Sequence, residues 1–119
     1  MSESPRDLVE RTFEFAKRIR QFANGVPSSV SNREDIRQLI RSSGSVAANY
    51  LESQEGLSRK DFFYRIKICR KEARESGLWL RLLELGHASG VMEERDFLVK
   101  ESDELKRIFS AIAIEDDTT

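Results

Sequence analysis

The sequence has few of the residues that build disulfide frameworks, metal sites or membrane spans. Its 119 residues include one cysteine, one histidine, two prolines and six glycines. A single cysteine excludes a disulfide within the chain and is typical of a reducing compartment. No apolar run approaches the ~20 residues that a membrane-spanning helix needs, and the polar start MSESPRD does not have the pattern of a signal peptide. We therefore expect a cytoplasmic protein with no membrane partner.

The scarcity of catalytic residue types argues against an enzyme. Di-metal bundles use Glu-x-x-His pairs, but His87 lies between glycines in a connector, where a solvated side chain is the simplest interpretation. Glu52, Glu72 and Glu75 could meet in a metal cluster, although an ion-pair network is the commoner outcome. Cys69 lies on an apolar helical face, where a thiol behaves as a small hydrophobe. We expect no enzymatic activity, no metal and no cofactor.

Charged residues are abundant but nearly balanced. They make up 34% of the chain, and the formal net charge is −1, which gives no general argument for phosphate binding. The distribution is uneven, since residues 58–86 carry eight basic and four acidic side chains and residues 87–119 carry four basic and nine acidic ones. The two segments are expected to attract each other.

Four segments carry apolar residues at alternating spacings of four and three, which is the period of an amphipathic α-helix. The predicted helices cover residues 5–23, 32–54, 59–85 and 92–113. Their short connectors make consecutive helices antiparallel. We therefore predict an all-α fold, an up-down-up-down antiparallel four-helix bundle, as one domain over residues 1–119. The expected core residues are Phe15, Ile19, Ile40, Val46, Ile66, Cys69, Leu80, Leu83, Leu105 and Phe109.

Capping residues indicate where these helices begin and end. Ser31 followed by Glu34 has the capping-box pattern and predicts the start of the second helix. Asn24-Gly25 tolerates a positive φ and is expected to stop the first helix. Residues 115–119, the first three of them acidic, are expected to fray into solvent.

Two further stripes lie beside the apolar faces of the second and third helices. The second helix carries Gln38, Ser42, Ser45, Asn49 and Glu52, and the third carries Ile68, Glu72, Glu75, Trp79 and Leu82. Rim residues that cover the edge of the core explain both stripes without a partner. Alternatively, a neighbouring subunit covers them, because tryptophan is enriched in interface cores. Glu72 and Glu75 would then pair with Lys or Arg across the contact.

The run Ser42-Ser43-Gly44-Ser45 lies in the middle of the second predicted helix, where Gly costs ~1 kcal/mol relative to Ala. Small residues let another backbone approach, and we expect that backbone to belong to an adjacent chain. A weak or bent helix is the alternative. The predicted subunit contact comprises Ser42, Gly44, Ser45, Asn49, Glu52, Glu72, Glu75 and Trp79.

A basic stripe on the third helix consists of Lys67, Arg70, Arg74 and Arg81. It is either a solvated face or an electrostatic footprint for nucleic-acid phosphates. Four cations without interleaved aromatics are a weak signal in one chain, but a ring of subunits would multiply them. If they are free, we expect weak, salt-dependent binding with little sequence preference. If the acidic fourth helix neutralises them, we expect none, and the net charge favours this outcome.

The segment RSSGSVAANYLESQEGLSRKDFFYRIKICRKEARESGLWLRLL resembles the four-helix-bundle proteins encoded within intervening sequences of bacterial 23S ribosomal RNA genes. The matching positions are Arg41, Ser42, Ser45, Ala48, Asn49, Tyr50, Glu52, Ser58, Asp61, Phe62, Lys71, Glu72, Ala73, Glu75, Trp79, Leu80, Leu82 and Leu83. Mild departures from the family pattern are Gly44, Arg65, Ser76 and Leu78.

The resemblance implies a homo-oligomer, a pentameric barrel of up-down bundles in which the extra stripes are subunit contacts. A related group, the accessory proteins of diversity-generating retroelements, is positively charged and interacts with nucleic acid and a reverse transcriptase. The net charge of −1 departs from that group. The expected function is therefore that of a non-enzymatic, ring-forming assembly protein. The alternative is a nucleic-acid-binding accessory protein that uses a ring of basic third-helix faces.

Overall fold

The structure, a computed structural model, describes residues 4–87 and 90–117, the last of these without its side chain. It contains four α-helices, α1 (Pro5–Ala23), α2 (Val30–Ser53), α3 (Arg59–Leu82) and α4 (Val91–Asp117). Each helix packs against its neighbours in the chain, and α1 also packs against α4. The backbones of the diagonal pairs stay apart within the described residues, and the rings of Tyr50 on α2 and Phe109 on α4 meet across the core with centroids 5.9 Å apart. The predicted four-helix bundle is confirmed.

Serine caps begin the first three helices. The hydroxyls of Ser4, Ser29 and Ser58 each accept a hydrogen bond from the backbone N–H three residues later, at N···O distances of 3.1, 3.0 and 2.9 Å. The prediction that Ser31 opens the second helix is therefore wrong. The helix begins two residues earlier because the buried side chain of Asn32 fixes the first turn in place.

The ends of α1 and α3 also differ from the predictions. Asn24 caps α1 in the right-handed conformation with φ −66°, and Gly25 has no positive φ, so the predicted left-handed stop is wrong. The backbone N–H groups of both residues instead donate back to carbonyls of the last turn. The third helix ends at Leu82 rather than 85, because Leu83 is extended with ψ 137° and is buried.

The fourth helix continues further than its apolar spacing predicts. It runs to Asp117, so residues 115–117 are helical and the expectation that they fray is wrong. The same expectation for residues 118–119 lies outside the described residues. The carboxylate of Asp116 lies 3.0 Å from the Lys67 ammonium on α3, which holds this last turn against the bundle.

The core follows the predicted apolar faces closely. Nine of the ten predicted core residues belong to the buried cluster. Ile40 is the exception and is half-buried, because α2 turns Leu39, Val46 and Tyr50 inward and leaves Ile40 at the rim. At the start of α3 the buried aromatic ring is Phe63, while Phe62 packs at the periphery of the core.

Charged side chains join α1 to α4. The guanidinium of Arg11 donates two hydrogen bonds to Glu101, both at 2.8 Å, and Arg18 donates to Glu94 at 2.6 and 2.9 Å. Arg18 also lies 3.7 Å above the ring of Phe97. Paired Arg–carboxylate bonds of this kind define the orientation of the two helices.

A buried amide ties the connector between α3 and α4 to the start of α2. Asn32 is 2% exposed. Its Nδ2 donates to the carbonyls of Pro27 and Glu84, both at 2.8 Å, and its Oδ1 accepts from the backbone N–H of Glu84 at 3.0 Å. Both amide protons and the carbonyl oxygen are therefore used, which joins segments 52 residues apart.

We expect Asn32→Ala to lower the free energy of unfolding by about 3 kcal/mol, because it removes three partly buried hydrogen bonds to the backbone of Pro27 and Glu84. Asn24→Ala is the matched control. Asn24 is exposed, and its replacement should change stability by no more than about 0.5 kcal/mol. Urea unfolding followed by circular dichroism measures both, and equal stabilities for the two variants would contradict the assigned role of Asn32.

Candidate interaction surfaces beside helix α3

The two polar stripes predicted on the second and third helices lie side by side in the structure. Arg41 on α2 lies 3.3 Å from Glu72 and 3.8 Å from Glu75 on α3, and Arg65 on α3 donates to Asn49 Oδ1 at 3.0 Å. We call this surface the α2–α3 edge. It comprises Arg41, Ser45 and Asn49 of α2 and Arg65, Ile68, Glu72, Glu75, Trp79 and Leu82 of α3.

The run of small residues in α2 packs helices of the same chain. Ser42 is fully buried, and its hydroxyl is hydrogen-bonded to that of Ser76 on α3 at 2.8 Å. A Cβ at Gly44 would lie 3.1 Å from the guanidinium of Arg20 on α1. The assignment of Ser42 to a subunit contact is therefore wrong, because its side chain has no surface outside the bundle. Gly44 faces α1, and α2 continues through the run without a break.

The acidic residues of the α2–α3 edge have partners within the chain. Glu72 is 4% exposed and pairs with Arg41, which also reaches the half-buried Glu75. Pairing of these carboxylates with Lys or Arg of another chain is thus not required. Among the predicted contact residues, Ser45, Asn49, Glu75 and Trp79 are half-buried and Glu52 is exposed, so all five retain accessible surface.

Three buried polar atoms at the α2–α3 edge lack a hydrogen-bond partner in the described part of the chain. They are Arg65 Nε, Glu72 Oε2 and Trp79 Nε1. The 3.3 Å contact between Arg41 and Glu72 Oε2 and the 3.6 Å contact between Arg65 Nε and Asp61 are ion pairs without hydrogen-bond geometry. A buried donor or acceptor without a partner costs about 1–3 kcal/mol. The edge therefore has hydrogen-bonding capacity that its own chain does not use.

The predicted basic stripe lies on the other side of α3 and lines a groove against α4. The central part has a volume of about 700 Å³ and is lined by Lys67, Arg70, Lys71, Arg74, Glu75, Lys106 and Ser110. It continues toward the end of α3 past Leu78 and Arg81, and toward the start of α3 past Tyr64. We call this surface the α3–α4 groove.

Sequence reasoning missed part of the lining of this groove. Lys106 belongs to α4, so its position opposite the stripe depends on packing that spacing along α3 does not show. Tyr64 and Leu78 are 61% and 46% exposed and lie among the cations. The exposed Tyr64 contradicts the expectation that the basic stripe has no aromatic side chain among its cations. The helical spacing places both residues beside the stripe, and this spacing could have revealed them.

The acidic fourth helix neutralises the stripe only in part. Lys67 pairs with Asp116 at 3.0 Å, as expected. Asp103 pairs with Lys106 and Arg107 of its own helix and not with the stripe. Hydrogen bonds from these two cations lower the pKa of Asp103. The other members of the stripe, Arg70, Arg74 and Arg81, form no ion pair within residues 4–87 and 90–117.

A glycine sets the approach of α3 to α4. A Cβ at Gly77 would lie 2.8 Å from Ser102 Oγ, a distance that real Cβ contacts do not show. Ser102 is 2% exposed and donates to its own helix at the Val99 carbonyl, at 2.7 Å. The helices meet closely at this level because neither carries a larger side chain there.

The family of the chain is decided by a match over most of its length. Residues 6–111 match the family model of 23S rRNA-intervening sequence proteins. The chain belongs to this family. The resemblance of the segment from Arg41 to Leu83 is thereby confirmed. No curated protein sequence matches the chain.

A solved structure resembles this 23S rRNA-intervening sequence protein closely in fold. It is the crystal structure of a protein with unknown function from the S23 ribosomal protein family, from Bacteroides thetaiotaomicron. The two chains share 27% identity and a TM-score of 0.73, over 89% of this chain and 97% of that one. Neither the family description nor this neighbour names a catalytic activity.

The thiol of this family member is enclosed. Cys69 is fully buried, its Sγ lies 3.5 Å from the Val46 carbonyl, and burial raises its pKa to about 12. The neutral thiol is a poor nucleophile, since the thiolate is the reactive form. Among the described residues, no three His, Cys, Asp or Glu side chains are grouped to hold a metal ion. No described helix is long and apolar enough to cross a membrane.

We expect Gly77→Ala to destabilise the protein by about 1–2 kcal/mol, because the clash with Ser102 Oγ outweighs the ~1 kcal/mol gained in helix propensity. Ser102→Ala removes the clashing oxygen. The double variant should therefore be more stable than Gly77→Ala alone. Urea unfolding of the four proteins gives the coupling energy, and additive effects would show that the two helices do not meet here.

We expect the burial of Cys69 to make stability fall at alkaline pH. The thiol has a pKa of about 12 in the folded chain and about 8.5 when unfolded, so its contribution is complete below pH ~8.5 and is lost as pH rises toward 12. Burial also raises the pKa of Tyr50 to about 12, which affects wild type and Cys69→Ala alike. The free energy of unfolding should thus fall more steeply between pH 8.5 and 10.5 in wild type than in Cys69→Ala. Parallel pH profiles would contradict the burial of the thiol.

Proposed function

We propose that this protein is a non-enzymatic, cytoplasmic assembly protein whose copies associate into a homo-oligomeric ring through the α2–α3 edge. Its task is structural, and the assembly is the functional form. The single buried cysteine supports a reducing compartment, and its high pKa supports the absence of thiol chemistry.

The observation that carries the proposal is a row of buried polar atoms along the edge that lack a hydrogen-bond partner in the described chain. Arg65 Nε and Trp79 Nε1 are donors and Glu72 Oε2 is an acceptor, and all three are buried without a hydrogen-bond partner in the described chain. Each of these atoms exposes less than 1 Å² in the single chain. The half-buried side chains of Arg65 and Trp79 would therefore turn outward to bring their donors to polar groups of a second copy, and these hydrogen bonds would fix the register of the contact. Because each such bond is directional, the same atoms would also discriminate against other surfaces.

Apolar surface at the same edge supplies the driving force. Leu82 is 51% exposed one turn beyond the half-buried Trp79, and Ile68 is half-buried on the same face. Full burial of a large apolar side chain stabilises by about 1.5–3 kcal/mol. Trp79 is the expected anchor, because tryptophan buries a large area and is enriched among the residues that dominate binding energy.

The contact we propose is head-to-tail, with the α2–α3 edge of one copy against a different surface of the next. Such a contact closes into a ring when the rotation per subunit divides a full turn. Five subunits are the expected number, and this number rests on the resemblance to homopentameric family members rather than on the geometry of the edge.

We expect sedimentation velocity at micromolar concentration to give five times the chain mass of 13.7 kDa. Leu82→Glu should shift the protein to lower mass, because it would bury a charge in the contact. Trp79→Ala should act in the same direction through loss of the anchor. Leu51→Glu is the matched control, since Leu51 is similarly exposed at 54% and lies two residues from Asn49, roughly on the opposite side of α2.

Circular dichroism of each variant separates loss of assembly from loss of folding. The proposal expects unchanged helix content with reduced mass in Leu82→Glu and unchanged mass in Leu51→Glu. A wild-type monomer refutes it. A stable wild-type dimer sensitive to Leu82→Glu would keep the edge as the contact and exclude the ring.

A further inference from the structure

The α3–α4 groove is one continuous basic channel. Its central part shares Lys67 with the hollow at the start of α3, and shares Arg74 and Lys106 with the hollow at the end of α3. These three parts are lined by eight cationic side chains and three carboxylates. From residue 60 to residue 81 the channel is about 30 Å long, at 1.5 Å of rise per residue.

The three carboxylates of the lining are already engaged by cations. Asp116 pairs with Lys67, Asp103 with Lys106 and Arg107, and Glu75 with Arg41 of α2. Five cations of the channel form no ion pair with any described residue. They are Lys60, Arg70, Lys71, Arg74 and Arg81. Their charges are exposed or half-exposed and stand along one helix, so an extended anion would meet them in succession.

An exposed aromatic ring lies at one end of the row. Tyr64 is 61% exposed and lines the same hollow as Lys60 and Lys67. Leu78, which is 46% exposed, lies in the channel near Arg81. Proteins that bind single-stranded nucleic acid combine a positively charged groove for the backbone with aromatic rings on which bases stack.

We propose that the α3–α4 groove binds single-stranded nucleic acid, with backbone phosphates on the row of α3 cations and a base stacked on Tyr64. A single strand can follow a channel between two packed helices, whereas a duplex would reach only its rim. An acidic protein segment would satisfy the cations but would have no use for the exposed ring. The ligand class is therefore a flexible phosphodiester chain, either RNA or DNA.

Asp116 acts as a competitor within the chain. Its carboxylate occupies Lys67 and lies 3.9 Å from the Arg59 guanidinium, at the same end of the channel as Tyr64. A phosphate that binds there must displace this carboxylate. Weak binding by the wild-type protein follows, and removal of the carboxylate strengthens binding.

The row of five cations is distinct from the α2–α3 edge. The row and the edge lie on different flanks of α3, and Glu75 is the residue that belongs to the edge and also lines the channel. Failure of one proposal leaves the other in place, because one is read from the sedimentation mass and the other from binding of labelled oligonucleotides.

The first experiment measures fluorescence anisotropy of labelled twelve-nucleotide oligo(U) and oligo(dT) with the full-length protein over a range of salt concentrations. Wild type binds both, and affinity falls as salt rises. Arg70→Ala/Arg74→Ala should weaken binding roughly tenfold at low salt and reduce the slope of log K against log salt by about 1.4. Arg6→Ala/Arg37→Ala removes the same charge from exposed positions of α1 and α2 and should leave both quantities unchanged.

The second experiment separates stacking from charge. Tyr64→Ala should weaken binding about tenfold without a change in the salt slope, and Tyr64→Phe, which keeps the ring, should bind as wild type does. Asp116→Asn should bind more tightly than wild type. Glu34→Gln, which removes the same charge from exposed α2, should not.

Each result decides the proposal. Equal binding of oligo(U) and oligo(dT) assigns the site to single strands in general, and preference for oligo(U) assigns it to RNA. Absence of binding at low salt overturns the proposal, as does an equal loss in Arg6→Ala/Arg37→Ala. Polyglutamate that displaces the oligonucleotide at equal charge, with no effect of Tyr64→Ala, would assign the channel to an acidic protein segment. Tighter binding of a duplex would exclude the single-strand geometry.

Discussion

The close approach of α3 to both of its neighbours is the constraint on which both surfaces depend. On one side the hydroxyls of Ser42 and Ser76 lie 2.8 Å apart, and on the other Gly77 leaves no room for a Cβ beside Ser102. Backbones that meet this closely cannot accommodate long side chains between them. The long polar and basic residues of α3 are therefore displaced to the margins of the two contacts, where they form the α2–α3 edge and the lining of the α3–α4 groove.

Different faces of α3 therefore make different contacts. Its inner face buries Ile66, Cys69 and Leu80 in the core. One flank presents buried polar atoms and Trp79 beside α2, and the other presents unpaired cations beside α4. A helix that only closed a bundle would need the inner face alone. The separation of the two flanks allows assembly and ligand binding to coexist on one short chain, since neither surface must open for the other to act.

The spacing of residues along the chain predicted features that depend on a single helix. It did not predict contacts whose partner residue lies in a distant segment. Apolar periodicity located four helices, and nine of the ten residues that it assigned to the core are buried there, because burial follows the helical repeat. It could not show the role of Asn32, whose partner Glu84 is 52 residues away. It also could not tell whether the backbone that approaches Ser42 belongs to the same chain or to another, and α3 of the same chain occupies that place.

The charge of the α3–α4 groove also depends on helix packing that residue spacing does not show. The acidic excess of residues 87–119 predicts that α4 neutralises the basic third helix. In the bundle, however, Glu94 and Glu101 of α4 turn to Arg18 and Arg11 of α1. At the end of α4, Asp116 pairs with Lys67 and Arg59 of α3. A helix has two flanks, and its carboxylates act only on the neighbour that they face. The α3–α4 groove therefore stays basic in a protein whose net charge is −1. Several carboxylates of α4 form ion pairs with arginines of α1 and not with the cations of α3.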